Sequence, residues 1–204
     1  MVGEIETGSF SNVRRILDRR FEQEVAILMP GQHFVSRSPV IVYTVLGSCV
    51  SVCIRDTVSN VGGMNHFMLP APKRSREDDS WGESGRYGSF AMELLVNDIL
   101  KRGGQRERLE VKVFGGGKIY NGENDVGASN ADWILKYLFK EGLYPVKKDL
   151  GDIFPRKIYY FSDSGRVLMK KIMRLKNDTI LKREQAYKET MQKSNANDGD
   201  ITLF

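Results

Sequence analysis

Hydrophobic positions recur along this chain with two different periods, and the switches between them mark the elements. From Phe10 to Phe21 the apolar residues Phe10, Val13, Ile16, Leu17 and Phe21 return at helical spacing, with Arg14, Arg15, Arg19 and Arg20 largely on other faces. This predicts a short amphipathic helix, either packed on its own domain or acting as a docking arm. Runs rich in β-branched and apolar residues follow at Glu24–Met29, Val40–Val45, Val50–Ile54 and Val61–Leu69. Pro30-Gly31, Ser38-Pro39 and the polar segment Asp56–Asn60 separate them, so they read as strands.

The charged stretch from Pro70 to Gly85 predicts a surface loop leading into a helix over Tyr87–Arg102, whose Phe90, Leu94, Leu95 and Ile99 form the buried stripe. Gly103-Gly104 stops it. A strand over Leu109–Phe114 runs into Gly115-Gly116-Gly117, and a second helix spans Ala128–Glu141, ended by Gly142. Three more strands are expected at Tyr144–Lys148, Lys157–Phe161 and Val167–Met173, the last two joined through the turn Asp163-Ser164-Gly165. Beyond Leu175 the chain is polar, with five basic and five acidic residues that cancel, and it reads as a flexible tail with some helical content. Its terminal Ile201–Phe204 is a candidate docking peptide or a plain disordered end.

Two helices among many strands predict an α+β fold. The expected organisation is an N-terminal extension with its amphipathic helix over 1–23, one domain over 24–174 and a polar tail over 175–204. A length of 204 residues with 41% hydrophobic and 28% charged composition suits a single globular domain. No apolar run approaches the roughly 18 to 20 residues needed to span a bilayer. Glu4 and Glu6 stand where a signal peptide would be apolar, so a cytoplasmic protein without membrane insertion is expected. The net charge of +5 is scattered, and no basic motif is interleaved with aromatics, so nucleic-acid binding ranks last.

The candidate chemistry lies in Thr44-Val-Leu-Gly-Ser-Cys49-Val-Ser-Val-Cys53 and Gly62-Gly-Met-Asn-His66, two strands joined by a tight reversal. With a two-residue loop at Thr57-Val58, Cys49 would face His66 across the hairpin with Cβ atoms roughly 4.5 to 5.5 Å apart. Val50, Val52 and Ile54 would then fill the opposite, apolar face. A thiol beside an imidazole suits acyl transfer, because the ring stabilises the thiolate and protonates a leaving amine. Backbone N–H groups around Gly47, Ser48 and Cys49 are candidate oxyanion donors. Cys53 shares the Cys49 face and reads as a small core residue. The two Cys and two His make no usual zinc pattern, and no cofactor is expected. Gly115–Gly117 lacks the Lys-Ser/Thr sequel of a phosphate loop and reads as a structural turn.

The strings Leu46-Gly-Ser-Cys-Val-Ser-Val-Cys-Ile54 and Gly62-Gly-Met-Asn-His-Phe-Met-Leu-Pro70 resemble the signature of the CheD family of chemoreceptor glutamine deamidases. The likeness extends through Pro30-Gly31, Tyr87-Gly88, Phe114-Gly-Gly-Gly117 and Asn124-x-x-Gly127-x-x-Asn130, covering about residues 24 to 173. It implies a three-layer α/β-type sandwich with mixed or antiparallel sheets and two main helices. It also implies hydrolysis of receptor glutamines to glutamates by a Cys-His-Thr arrangement. Cys49 and His66 carry over directly; Tyr43 occupies the place where some relatives have the threonine, so either Thr44, the nearby hydroxyl, or a backbone carbonyl is the candidate to orient the imidazole. Asn65, beside His66, joins Gly47 and Ser48 as an oxyanion or substrate-binding candidate. The implied partners are the cytoplasmic domain of a chemoreceptor, as substrate, and a CheC-type phosphatase. The alternative is an adaptor for receptor or phosphatase with weak or secondary deamidase activity.

Overall fold

The computed structural model describes residues 13–70, 82–119, 125–173 and 179–197. Ile201–Phe204, Asn124 and most of the loop expected over Pro70–Gly85 lie outside these. Among the described residues ten strands form two five-stranded sheets. The first contains β1 (Arg14–Asp18), β2 (Gln23–Ile27), β4 (Ile41–Leu46), β9 (Arg156–Phe161) and β10 (Val167–Lys171), in that spatial order. The second orders β3 (His33–Ser36), β6 (Gly62–Asn65), β5 (Val50–Asp56), β7 (Leu109–Gly115) and β8 (Pro145–Leu150). Both are mixed: β2–β4 and β7–β8 are parallel, and the other pairs antiparallel.

Alternation along β5 assigns the layers. Val50, Val52 and Ile54 point outward into a core shared with Met92, Leu95 and Ile99 of α1 (Gly82–Lys101) and Trp133, Ile134 and Leu138 of α2 (Val126–Lys140). Cys53 points inward, toward Val42, Leu46, Ile158 and Tyr160 of the first sheet. Helices, second sheet and first sheet therefore make the expected α+β sandwich of three layers. Among the described residues no helix is long and apolar enough to cross a membrane.

Three local expectations are corrected. Residues 14–18 form strand β1, not part of an amphipathic helix, and all five pair with β2. Pairing covers an edge of β2 that a helix would leave open. The turn back is closed by Asp18, which accepts from Arg20 N at 2.8 Å, with Glu22 at φ 51°. Phe21, read as helical, instead packs edge-on against Phe161 and beside Tyr159.

The second correction is the β5–β6 register, which is shifted by two residues: Val50 bridges Phe67 and Cys53 pairs with Met64. The loop is longer than two residues because Asp56 N bonds Val61 O, while the Asp56 carboxylate caps Val58 N and Ser59 N and Asn60 adopts φ 56°. A shift of two preserves side-chain parity, so Cys49 and His66 stay on one side.

The third is the tail, much of which was read as flexible. A third helix, α3 (Thr179–Asn197), turns Glu184, Tyr187 and Met191 toward the body at spacings of three and four.

Candidate functional site

The site forms where the chain crosses from one sheet to the other. β4 ends at Leu46, β5 begins at Val50, and Gly47-Ser48-Cys49 make the crossing. Each carbonyl of this turn is held from behind: Gly47 O by Gly117 N at 2.8 Å, Ser48 O by Asn130 Nδ2 at 2.9 Å and Cys49 O by Gly116 N at 2.8 Å. With the carbonyls engaged on one side, the three N–H groups converge on the other and form an anion-binding concavity. The close approach requires glycine: Gly115 has φ 120°, and a Cβ on Gly127 would fall 2.6 Å from Gly116 O.

His66 enters from the segment after β6. Its Nδ1 lies 2.7 Å from Thr44 Oγ1, whose own proton goes to Leu28 O at 2.9 Å. A hydroxyl has one proton, so Thr44 must accept from His66 Nδ1–H, leaving the lone pair on Nε2. That Nε2 is buried and has no hydrogen-bond partner among the described residues. Alternation along β4 explains the choice of hydroxyl: Thr44 points inward with Val42 and Leu46, whereas Tyr43 points outward and stacks near Tyr159.

A third side chain, from α3, completes the cluster. Glu184 is 2% exposed. Its Oε1 accepts from Gly47 N at 2.9 Å and Cys49 N at 3.3 Å, and its Oε2 from Ser48 N at 3.0 Å and Ser48 Oγ at 2.6 Å. Cys49 Sγ, a His66 ring nitrogen and a Glu184 carboxylate oxygen all lie within 4.8 Å of one another. A cation could in principle meet such a trio, but both carboxylate oxygens already accept two hydrogen bonds each. The carboxylate is thus placed as an anion in a nest of donors.

Burial sets the resting protonation. It pushes the Cys49 thiol well up, and the charge and hydrogen bond of Glu184 push it further. Burial also lowers the His66 imidazole to about 3, with the Arg183 charge acting the same way. With the carboxylate seated, thiol and imidazole are both neutral at neutral pH.

Of the residues singled out from sequence, Cys49, His66, Thr44, Gly47 and Ser48 come together here. Asn65 does not. Its side chain points to the opposite face of the second sheet, accepting from Val52 N at 2.8 Å and donating to Ala91 O at 3.3 Å, because it neighbours a residue that faces inward. Its assignment to oxyanion or substrate binding is corrected to a tie between β5 and α1. Asn130, in the first turns of α2, donates to Ser48 O and accepts from Leu69 N at 2.8 Å, bridging the segments that carry Cys49 and His66. The helix cap is Asp125. Glu184 carried no signal in the sequence, where it is one of several charged residues of a polar tail.

The chain is similar to known proteins over most of its length. The family model described as CheD chemotactic sensory transduction matches residues 68–171. The chain is 45% identical over 189 residues to a protein of Methylobacillus flagellatus named probable chemoreceptor glutamine deamidase CheD, covering 92% of this chain and 93% of that one. It is 48% identical over 189 residues to a protein of the same name from Herminiimonas arsenicoxydans, covering 92% of each. A Dechloromonas aromatica protein, probable chemoreceptor glutamine deamidase CheD 1, is 48% identical over 192 residues, 93% of this chain and 94% of that one. Likeness of this extent, running through the turn that carries Cys49 and the segment that carries His66, means that the chain belongs to the CheD family.

Proposed function

We propose that the protein hydrolyses glutamine side-chain amides on the cytoplasmic part of chemoreceptors, with Cys49 as nucleophile and His66 as base. The observation that carries this reading is that Cys49 Sγ and a His66 ring nitrogen lie within 4.8 Å of each other beside a nest of N–H donors, with His66 Nδ1 engaged by Thr44 and Nε2 without a partner among the described residues. Thr44 acts as a positioning residue.

In the reaction, His66 Nε2 takes the thiol proton and the sulfur attacks the carboxamide carbon. The developing oxyanion is held by N–H groups of Gly47, Ser48 and Cys49. Collapse breaks the C–N bond as His66 returns the proton to the departing ammonia. Water, deprotonated by the same nitrogen, then cleaves the thioester, and the sulfur leaves with the proton. One amide and one water become one carboxylate and one ammonium ion, the released ammonia taking up the carboxylic proton, which adds a negative charge to the receptor surface. Each such charge changes the interactions between neighbouring receptor helices.

The test incubates purified protein with a receptor cytoplasmic fragment and follows ammonia release and a mass gain of about one dalton per event. Activity that survives Cys49→Ala ends the mechanism. An adaptor for a receptor or a CheC-type phosphatase would retain its biological effect in the same variant, which separates that reading.

A further inference from the structure

Deamidation by Cys49 and His66 does not require a carboxylate from the protein's own C-terminal helix, yet α3 delivers one to the donor nest. Desolvating a carboxylate costs several kcal/mol unless hydrogen bonds replace its water. Glu184 meets that condition with the three N–H groups and the hydroxyl described above. The rest of α3 fits the same depression. A Cβ on Gly31 would fall 2.6 Å from Tyr187 Oη, and a Cβ on Gly47 would fall 2.8 Å from Glu184 Oε1. Tyr187 also bonds Tyr87 of α1 through their hydroxyls, and Met191 is buried in the inter-sheet core. Glu184, Tyr187 and Met191 stand at positions i, i+3 and i+7, a single helical face.

A glutamate is what the enzyme would leave after acting on a glutamine, and the carboxylate has nearly the shape of the carboxamide. We propose that α3 occupies the groove that receives the substrate helix, with Glu184 as a built-in product side chain, so that a receptor helix must displace α3 to be deamidated. The partner surface is thereby defined. It takes a helix that presents a glutamine to the nest, a large side chain three residues on against Gly31 and Tyr87, and an apolar side chain seven residues on. While α3 is seated, Cys49 is 0% exposed and His66 1% exposed, so the site is shut to both substrate and water.

This inference rests on the deamidase reading, and the experiment distinguishes the two. Full-length protein carrying Glu184→Gln is incubated at neutral pH, and the peptide containing position 184 is followed by mass spectrometry beside the same variant with Cys49→Ala. The introduced amide is expected to be hydrolysed with release of ammonia, only when Cys49 is present. In parallel, alkylation of Cys49 by iodoacetamide is measured in a Cys53→Ala background for the full chain, for Glu184→Ala and for a chain ending at residue 173. Loss of the carboxylate or of the helix is expected to speed alkylation at least about tenfold and to raise kcat/KM on a receptor fragment by a similar factor. If the shortened chain does not fold, full-length Glu184→Ala carries the measurement.

A receptor fragment that is deamidated while the amide at position 184 persists and alkylation is unchanged overturns the role of α3 alone. Faster alkylation without hydrolysis of either amide overturns the deamidase reading and the mimicry that depends on it.

Discussion

Cys49 and Cys53 lie four residues apart in sequence, both buried on the inner side of the second sheet, yet it is Cys49 that clusters with His66 and Glu184. Burial pushes both thiols up. Around Cys53 the strand is regular: it pairs with Met64 and Lys112, and its side chain packs in the inter-sheet core with Tyr160 nearby. Around Cys49 the ladder has not yet begun, so the backbone N–H groups have no strand partners and converge instead on the Glu184 carboxylate, which lies beside the sulfur with His66. What sets Cys49, the proposed nucleophile, apart from Cys53 is the break in secondary structure beside it, since both share the same depth and the same face.

Exchanging the two cysteines tests that contrast most strongly. Cys49→Ala is expected to lower receptor deamidation at least about 10⁴-fold, the scale seen when an enzyme nucleophile is removed. Cys53→Ala should keep the rate within about threefold and cost about 1 to 2 kcal/mol in urea unfolding, as loss of a small buried side chain does. Comparable rate losses in both variants would break the comparison.

Acid sharpens it further. His66 is held down at about 3 by burial, whereas an unfolded histidine takes its proton near 6.5. Between those values the unfolded chain binds the extra proton, so this group's contribution is complete above about pH 6.5 and declines as the pH falls toward 3. The expected slope is about 1.4 kcal/mol per pH unit. Urea titrations between about pH 5 and 6.5, above the range where carboxylates titrate, should show a slope steeper by about that amount in wild type and in Cys53→Ala than in His66→Gln.

Removing Asn130 attacks the tether specific to the Cys49 side. Asn130→Ala leaves Ser48 O and Leu69 N without their buried partner, and is expected to cost about 2 to 3 kcal/mol with a parallel fall in kcat. A loss of stability with kcat unchanged would show that the bridge does not position the nucleophile.

The smallest expected effect is at Thr44. Thr44→Val should lower kcat about tenfold to a hundredfold with KM little changed, because the imidazole loses the acceptor that fixes its tautomer. Thr44→Ser should recover most of the rate. A Thr44→Val enzyme of normal kcat would leave His66 orientation to packing alone.

Alternation along β5 and the two amphipathic helices were legible in the sequence, although the buried stripe of α1 is Met92, Leu95, Val96 and Ile99, and Phe90, expected in it, is 51% exposed. Val50, Val52 and Ile54 line the outer core, and both helices lie within a few residues of their predicted spans, apart from an earlier start of α1. Strand β1 was not, since Phe10–Phe21 carries helical spacing by coincidence and its exposed residues are held by backbone pairing with β2. Strand β3 was also missed. It is four residues long, His33 and Ser36 give it a mixed pattern, and its hydrogen bonds go to β6, a partner distant in sequence.

By itself the sequence determined the pair at the centre of this protein, Cys49 and His66, and the side of the sheet they share, because side-chain parity survives a two-residue error in register. Only the tertiary structure decided that Thr44, and not Tyr43, completes the imidazole's hydrogen bonding, that Asn65 faces away, and that Gly116, Gly117 and Asn130 aim the N–H groups of the turn. It also brought Glu184 from a segment 135 residues beyond Cys49 to that same turn. The physical reason is common to all of these. Periodicity reports which face a residue occupies on its own element, whereas the direction of a hydrogen bond and the identity of a neighbour across the core depend on how separate elements are stacked.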